Sequence, residues 1–265
     1  MTDRISRTAD ALAEGLSQTQ RATCHAAMLE AATTSEVWDV YAEAAARCGF
    51  TRMLYGCIAP TRSGGRLDLG SSLLLHRGPQ AFLDAYISEE LYLASPMVAW
   101  ILSNDGFKSN AEIAATTRIE PTPKLMRLMQ LRNEFQSGQG YVGAFRDVLP
   151  GVVGGISLHC DAGVDADVVG ELWRRHSAAL EALSRAMHLR VATLPHPLLR
   201  PLTTRQREAL DWVSRGKTAR DIATILDLSE PTVEKHLRGA REALDAATTA
   251  HAVRKAMQLN LLRAG

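Results

Sequence analysis

Apolar residues follow helix and strand spacings in an order that divides the chain near residue 190. Residues 1–20, polar and mixed in charge, read as a frayed tail or an isolated helix. Over 34–48, Val37, Val40, Tyr41 and Ala44 share one helix face. Residues 49–58 are strand-like, with Phe50, Met53, Tyr55 and Cys57 as buried positions. A Gly64–Gly65 turn leads to a second apolar stretch at 71–75, and a helix is expected over 78–92. Strands are expected near 141–149 and 152–160. A long helix over 165–189 places Val168, Leu172, His176, Leu180, Leu183 and Met187 on or near one stripe. Helices on both sides of a central sheet give an α-β-α sandwich, so the fold class is α+β.

The rest of the chain is all helical in pattern. Residues 191–201 contain three prolines, cannot continue a helix and read as a semi-rigid linker. This sets a sensor-like domain at 1–190 and a second domain at 202–265. A capped helix over 202–216 ends in glycine. Ile222, Ala223, Ile225 and Leu226 mark a short helix, and after Asp227 and Leu228 a second begins at the N-cap Ser229 with Pro231 in its first turn. That helix turns Val233, Leu237, Ala240 and Leu244 inward and shows Thr232, Lys235, His236, Arg238 and Arg241 outward. Two helices joined by so short a turn form a helix-turn-helix, the second shaped to lie in a DNA major groove. The alternative is a helical hairpin with a merely solvated charged face. A fourth helix over 250–262 carries Val253, Met257 and Leu261 on one side.

Composition narrows the class. The chain has 265 residues, room for two cores, and no apolar run approaches the ~20 residues needed to span a bilayer. Met1–Ala22 lacks the apolar centre of a signal peptide. Cys24, Cys48, Cys57 and Cys160 are scattered without a C-x-x-C pair, suggesting neither zinc nor a disulfide frame. A reduced, cytoplasmic protein without membrane contact follows. The formal net charge of +1 is unevenly shared. From His196 onward there are 12 Lys+Arg against 8 Asp+Glu, and before it 18 against 21. The positive excess lies in the segment that would meet phosphate. It is small enough that one copy should bind DNA weakly, so a dimer on a two-fold site is expected.

The C-terminal segment, roughly 200–262, resembles the DNA-binding domain of the LuxR family of bacterial transcription regulators. The resemblance rests on Leu202-Thr-Thr-Arg-Gln-Arg-Glu-Ala-Leu-Asp-Trp212, the Arg215-Gly-Lys-Thr218 junction and Ser229-Glu-Pro-Thr-Val-Glu-Lys-His-Leu237. It implies DNA contacts from Lys217, Thr218, Ser229, Thr232, Lys235, His236, Arg238 and Arg241. Glu234, on or beside that surface, could accept from a cytosine amino group or repel phosphate. Val253, Met257 and Leu261 are the candidate dimer contact. Gln206 stands where the family usually has Glu, a change expected to keep folding.

The N-terminal domain is similar to the same family's autoinducer-binding domain. The anchors are Phe82-Leu-Asp-Ala-Tyr86 and Leu91-Tyr-Leu-Ala-Ser-Pro-Met-Val98. In many members a Trp at the position of Phe82 holds the lactone carbonyl of an acyl-homoserine lactone. An Asp at the position of Ser95 accepts its amide N–H, and a Tyr at the position of Gly78 meets its amide carbonyl. Of these pocket positions only Tyr86 is retained; a second aromatic expected near 110 is Asn110, with Phe107 as a nearby stand-in. Phe82 cannot donate a hydrogen bond, and Ser95 offers a neutral acceptor. A hydrogen bond to a charged group contributes about 1.5–3 kcal/mol and a neutral one about half that. Losing both should weaken an unsubstituted acyl-homoserine lactone roughly a hundredfold or more. Three readings follow for the pocket. It senses a more apolar or aromatic ligand through Tyr55, Phe82, Tyr86, Ser95, Met97, Trp100 and Phe107; it is filled by its own side chains; or its aromatics are plain core. In this family the 165–189 helix also assists dimerisation.

An enzyme is not expected: no histidine lies in a hydrolase or metalloprotease motif, and the glycines at 138–140 and 151–155 lack the lysine and strand-to-helix context of a phosphate site. No cofactor or metal is expected. The expected protein is a homodimeric LuxR-type regulator, quorum-sensing-like, on a pseudo-palindromic operator in double-stranded DNA, meeting RNA polymerase if it activates. The alternatives are a ligand-independent regulator and an interaction protein that inhibits a related regulator by heterodimerisation.

Overall fold

The computed structural model describes residues 2–58, 72–117, 120–135, 138–146, 153–195, 201–259 and 261–262. The chain divides into two compact units, Met1–Ala192 and Thr193–Gly265.

The first unit is built on a five-stranded antiparallel sheet of order β2-β1-β5-β4-β3. Its strands are β1 (Arg52–Ile58), β2 (Leu73–Arg77), β3 (Gly106–Ser109), β4 (Gly140–Phe145) and β5 (Val153–His159). The N-terminal residues are ordered helices, α1 (Thr2–Leu12) and α2 (Gln18–Glu30). Ala9 is fully buried, Asp10 pairs with Arg175, and the Gly15 N–H donates to the Arg47 carbonyl at 3.0 Å. Tertiary ties, invisible to local periodicity, hold this segment.

On one face of the sheet lie α3 (Thr34–Arg47) and α8 (Ala166–Thr193). Buried Tyr41 and Ser184 join them by a 2.7 Å hydrogen bond, and Tyr55 of β1 reaches His188 Nδ1 of α8 at 2.7 Å. Burial pushes the His188 imidazole down to about 4, with Arg185 adding to the shift, so this histidine is neutral. Gly154 gives its ring room: a Cβ there would lie 2.3 Å from His188 Cε1. Of the stripe expected on α8, Val168, Leu172, Leu180, Leu183 and Met187 are buried and His176 is half-buried.

On the other face are α4 (Gln80–Ser88), a 3₁₀ turn Leu91–Ala94, α5 (Pro96–Ser103), α6 (Asn110–Thr116) and α7 (Pro123–Glu134). The single helix expected over 78–92 is broken. Pro79 sets its start, and Glu90, at φ 53°, turns the chain into the 3₁₀ segment. Conversely, α8 runs through Val191–Thr193, three residues expected in the linker, because Pro195 is the first residue that must stop it. Residues 196–200 of that stretch, the Gly64–Gly65 turn and the whole 147–152 junction lie outside the described residues.

The second unit packs α9 (Thr204–Ser214), α10 (Ala219–Leu226), α11 (Glu230–Ala243) and α12 (Thr249–Gln258) around Leu210, Ile222, Val233, Leu237, Ala240, Ala252 and Ala256. Among the described residues no helix is long and apolar enough to cross a membrane.

Candidate ligand cavity and nucleic-acid interface

Between the sheet and α4–α7 is a cavity of about 490 Å³. The two-residue period of a strand decides which side chains reach it. Leu54, Ser157 and His159 lie along it, whereas Tyr55, one residue on from Leu54, belongs to the opposite face with His188. A smaller pocket of about 90 Å³, walled by Leu74, Ile87, Val98, Ile101 and Leu102, shares Leu54, Tyr86, Met97 and Ser157 with it.

Of the ligand residues expected from sequence, Phe82, Tyr86, Ser95 and Met97 line this cavity, and Tyr55, Trp100 and Phe107 do not. Phe107 sits opposite Gly143 in the ladder and packs on Phe145 and Trp173, placing it on the α8 side. Gly143 leaves the space that its ring occupies, since a Cβ there would fall 2.5 Å from it. Trp100 follows Met97 on α5 but turns away from both pockets.

The aromatic wall is continuous. Phe82 and Tyr86, one helical turn apart, stack at 5.8 Å between centroids, and Phe135 meets Phe82 edge-on at 5.9 Å. Burial pushes the Tyr86 phenol up to about 12, while the Ser95 side chain and the Arg132 charge pull it back. Tyr86 is therefore a hydrogen-bond donor at physiological pH. Ser95 is 7% exposed and opens α5 ahead of Pro96. Gly78 also lines the cavity, so no side chain acts from that position.

Three polar lining residues were not foreseen in these roles. His159 is pushed down to about 4, chiefly by burial, and its Nδ1 lies 3.0 Å from the Gly138 carbonyl. A carbonyl only accepts, so the neutral ring carries its proton on Nδ1 and keeps Nε2 as an acceptor. Asn110 is 4% exposed, and neither Oδ1 nor Nδ2 has a hydrogen-bond partner among the described residues. Arg132 on α7 lines the cavity half-buried. Its signal was present in sequence, because Arg132 follows Leu125 and Leu128 at helical spacing and so falls on the inward stripe.

In the second unit, the turn is fixed from both ends. Thr218 and Asp221 form a reciprocal capping box, the Thr218 N–H donating to Asp221 at 2.9 Å and the Asp221 N–H to Thr218 Oγ1 at 3.2 Å. Asp227 takes the left-handed conformation at φ 54°, which lets the Leu228 N–H close on the Ala223 carbonyl at 2.9 Å. Ser229 then caps α11 and bonds the Thr232 hydroxyl at 2.8 Å. Thr218, Ser229 and Thr232, expected at the DNA, are thus also the groups that shape the motif.

On the outer face of α11, Glu234, Lys235 and Arg238 are exposed, and Thr232 and His236 are half-buried. Arg241 is tied to Thr249 Oγ1 at 3.0 Å, anchoring α11 to α12. Two cations of α9 and its end are paired, Arg205 with Glu208 and Arg215 with Asp211, both at 2.9 Å. Among the described residues no ion pair engages Lys217, Arg220, Lys235 or Arg238. Arg220, exposed on α10, was not among the residues expected at the DNA, because it falls outside the motif segments that carry the resemblance. Gln206 supplies the capping box of α9, accepting from Thr203 N–H at 2.9 Å, and its amide fits against Gly239 of α11. On α12, Met257 is 46% exposed and Val253 half-buried. The helix stops at Gln258, so Leu261 follows it, with its N–H donating to the Ala256 carbonyl.

Comparison with known proteins agrees with both halves. The family described as autoinducer binding domain matches residues 33–191, and that of bacterial regulatory proteins, luxR family, matches 200–256. The HTH-type quorum sensing-dependent transcriptional regulator RpaR of Rhodopseudomonas palustris is 30% identical over 233 residues, covering 82% of this chain and 85% of that protein. Two solved structures share the fold. Escherichia coli SdiA has a TM-score of 0.52 at 18% identity, over 93% of this chain and 99% of its own. SdiA in complex with octanoyl-rac-glycerol has a TM-score of 0.54 at 17% identity, over 93% and 97%. With an autoinducer-binding sequence ahead of a helix-turn-helix whose unpaired cations face outward, this chain belongs to the LuxR family of DNA-binding transcription regulators.

Proposed function

We propose that this regulator works in the cytoplasm as a homodimer on a pseudo-palindromic DNA site, and that its N-terminal cavity senses an amphipathic small molecule other than an unsubstituted acyl-homoserine lactone. The observation that carries the sensing half is the wall of the cavity: a large open volume faced by Phe82, Tyr86, Ser95 and Gly78, with no indole donor and no carboxylate among its described lining residues. The open volume favours a sensor over a site filled by its own side chains. SdiA accommodates octanoyl-rac-glycerol, a molecule without a lactone, and that precedent supports a ligand of another class here.

The DNA half rests on the exposed cations Lys217, Arg220, Lys235 and Arg238, which no ion pair engages among the described residues. Lys235 and Arg238 carry much of the affinity, Lys217 and Arg220 hold phosphate, and Met257 with Val253 and Leu261 supplies the dimer contact. An interaction protein acting only through heterodimers would have no use for this exposed basic face. RNA polymerase becomes a partner if the chain activates. Selection of DNA from a random pool by the full-length protein tests this half. The expected enrichment is for two inverted half-sites about one helical turn apart. Enrichment of a single asymmetric site would overturn the dimer, and none at all would overturn the DNA reading.

A further inference from the structure

The charge lining the cavity is one-sided. Arg52, Arg77 and Arg132 face it together with His76 and His159, and no Asp or Glu is among its described lining residues. Two of the guanidiniums already have partners. Arg77 pairs with Glu43 at 3.4 Å, and Arg52 pairs with Asp161 at 3.5 Å and donates to the Phe135 carbonyl at 2.7 Å. Arg132 makes no hydrogen bond or ion pair with any described residue. It lines the same cavity as Tyr86 and His159 and acts electrostatically on both. Burial disfavours its charged form, yet a guanidinium stays protonated at any physiological pH. A half-buried cation without a counter-ion is a costly arrangement that a bound anion relieves. Asn110 adds a second unmet demand, since both ends of its buried amide lack partners among the described residues.

We propose that the ligand is an amphipathic carboxylate, its acid group paired with the guanidinium of Arg132, its apolar body against Phe82, Leu128 and Met97, and a neighbouring amide or hydroxyl meeting Asn110. The planar guanidinium matches a carboxylate with two parallel hydrogen bonds, which a neutral ester or lactone cannot accept with comparable strength. Tyr86, held as a phenol, donates to the same end. This deepens the sensor reading and rests on it: the cavity must first be a ligand site.

The test uses matched probes on the full-length protein at neutral pH: N-octanoylglycine and 4-phenylbutyrate, each beside its methyl ester, with dissociation constants from calorimetry. The expected result is that at least one acid binds tenfold or more tightly than its ester. Arg132→Gln should abolish the preference while leaving ester affinity in place, which shows that the cavity has survived the change. Arg132→Lys, keeping the charge, should retain most of it. Esters binding as well as acids would overturn the carboxylate and leave the sensor intact. A preference that survives Arg132→Gln would overturn the assigned residue. Failure of all four probes to bind would remove the sensor reading together with this inference.

Discussion

At the scale of single residues, the cavity differs from the lactone-reading pattern at Phe82, Ser95 and Gly78, the first two replacing a donor and a charged acceptor. Phe82 presents a ring without a donor where an indole would donate, and Ser95 a hydroxyl where a carboxylate would accept. Restoring both with Phe82→Trp and Ser95→Asp should raise affinity for N-octanoyl-homoserine lactone at least tenfold, two added hydrogen bonds contributing about 1–3 kcal/mol each at most. Calorimetric titration of the double variant checks this, and unchanged affinity would show that the headgroup does not sit there. At the proposed DNA face, Lys235→Ala and Arg238→Ala should each weaken binding by about 1–3 kcal/mol if the side chain reads a base, and lower the salt slope by about one if it holds phosphate. Arg205→Ala, whose side chain is already engaged by Glu208, serves as the silent control in the same anisotropy titrations. Phe82, Tyr86, Ser95 and Met97 could be placed in the cavity from sequence because a family pattern fixed their positions. Tyr55 and Phe107 could not, because an aromatic on a strand carries no mark of which face of the sheet it will occupy.

At the scale of elements, helices with a clear apolar stripe and a cap were legible, and short or tertiary-held ones were not. Val233, Leu237, Ala240 and Leu244 define α11 outright, and Ser229 marks its start. The four residues of β3 are too few to establish a period, and α1 is tied down by Asp10–Arg175 and buried Ala9, partners that lie far along the chain or in the core. The packing of α8 on β5 gives a direct test. Gly154→Ala would push a methyl into the His188 ring, which is fixed on its other sides by Tyr55 and by stacking on Phe145 at 5.0 Å. Overpacking of this kind costs about 1–3 kcal/mol, and urea unfolding of the variant should show it. On α12, Met257→Lys should lower affinity for a two-fold site without changing the melting of the second unit. Retained affinity would remove this helix from the dimer contact.

At the scale of the molecule, two neutral histidines on opposite faces of one sheet couple stability to pH. In the unfolded chain a histidine protonates near 6.5, whereas His188 in the fold resists protonation down to about 4. Below 6.5 the unfolded state therefore binds a proton that the native state refuses. The stability contributed by the neutral ring is complete above 6.5 and is lost as pH falls from 6.5 toward 4. His159 contributes with the same sign. Between pH 7.5 and 5, His188 alone should cost about 2 kcal/mol, and His188→Gln, which keeps a partner for Tyr55, should flatten the pH dependence of denaturant midpoints over that range. The family match places a DNA-reading unit behind a sensing one, and the cavity wall sets what the sensor can recognise.

Titration of the full-length protein with unsubstituted acyl-homoserine lactones from four to twelve carbons tests that account most directly. The expected result is weak binding, no tighter than micromolar, or none at any chain length. Nanomolar affinity for any one of them would contradict it.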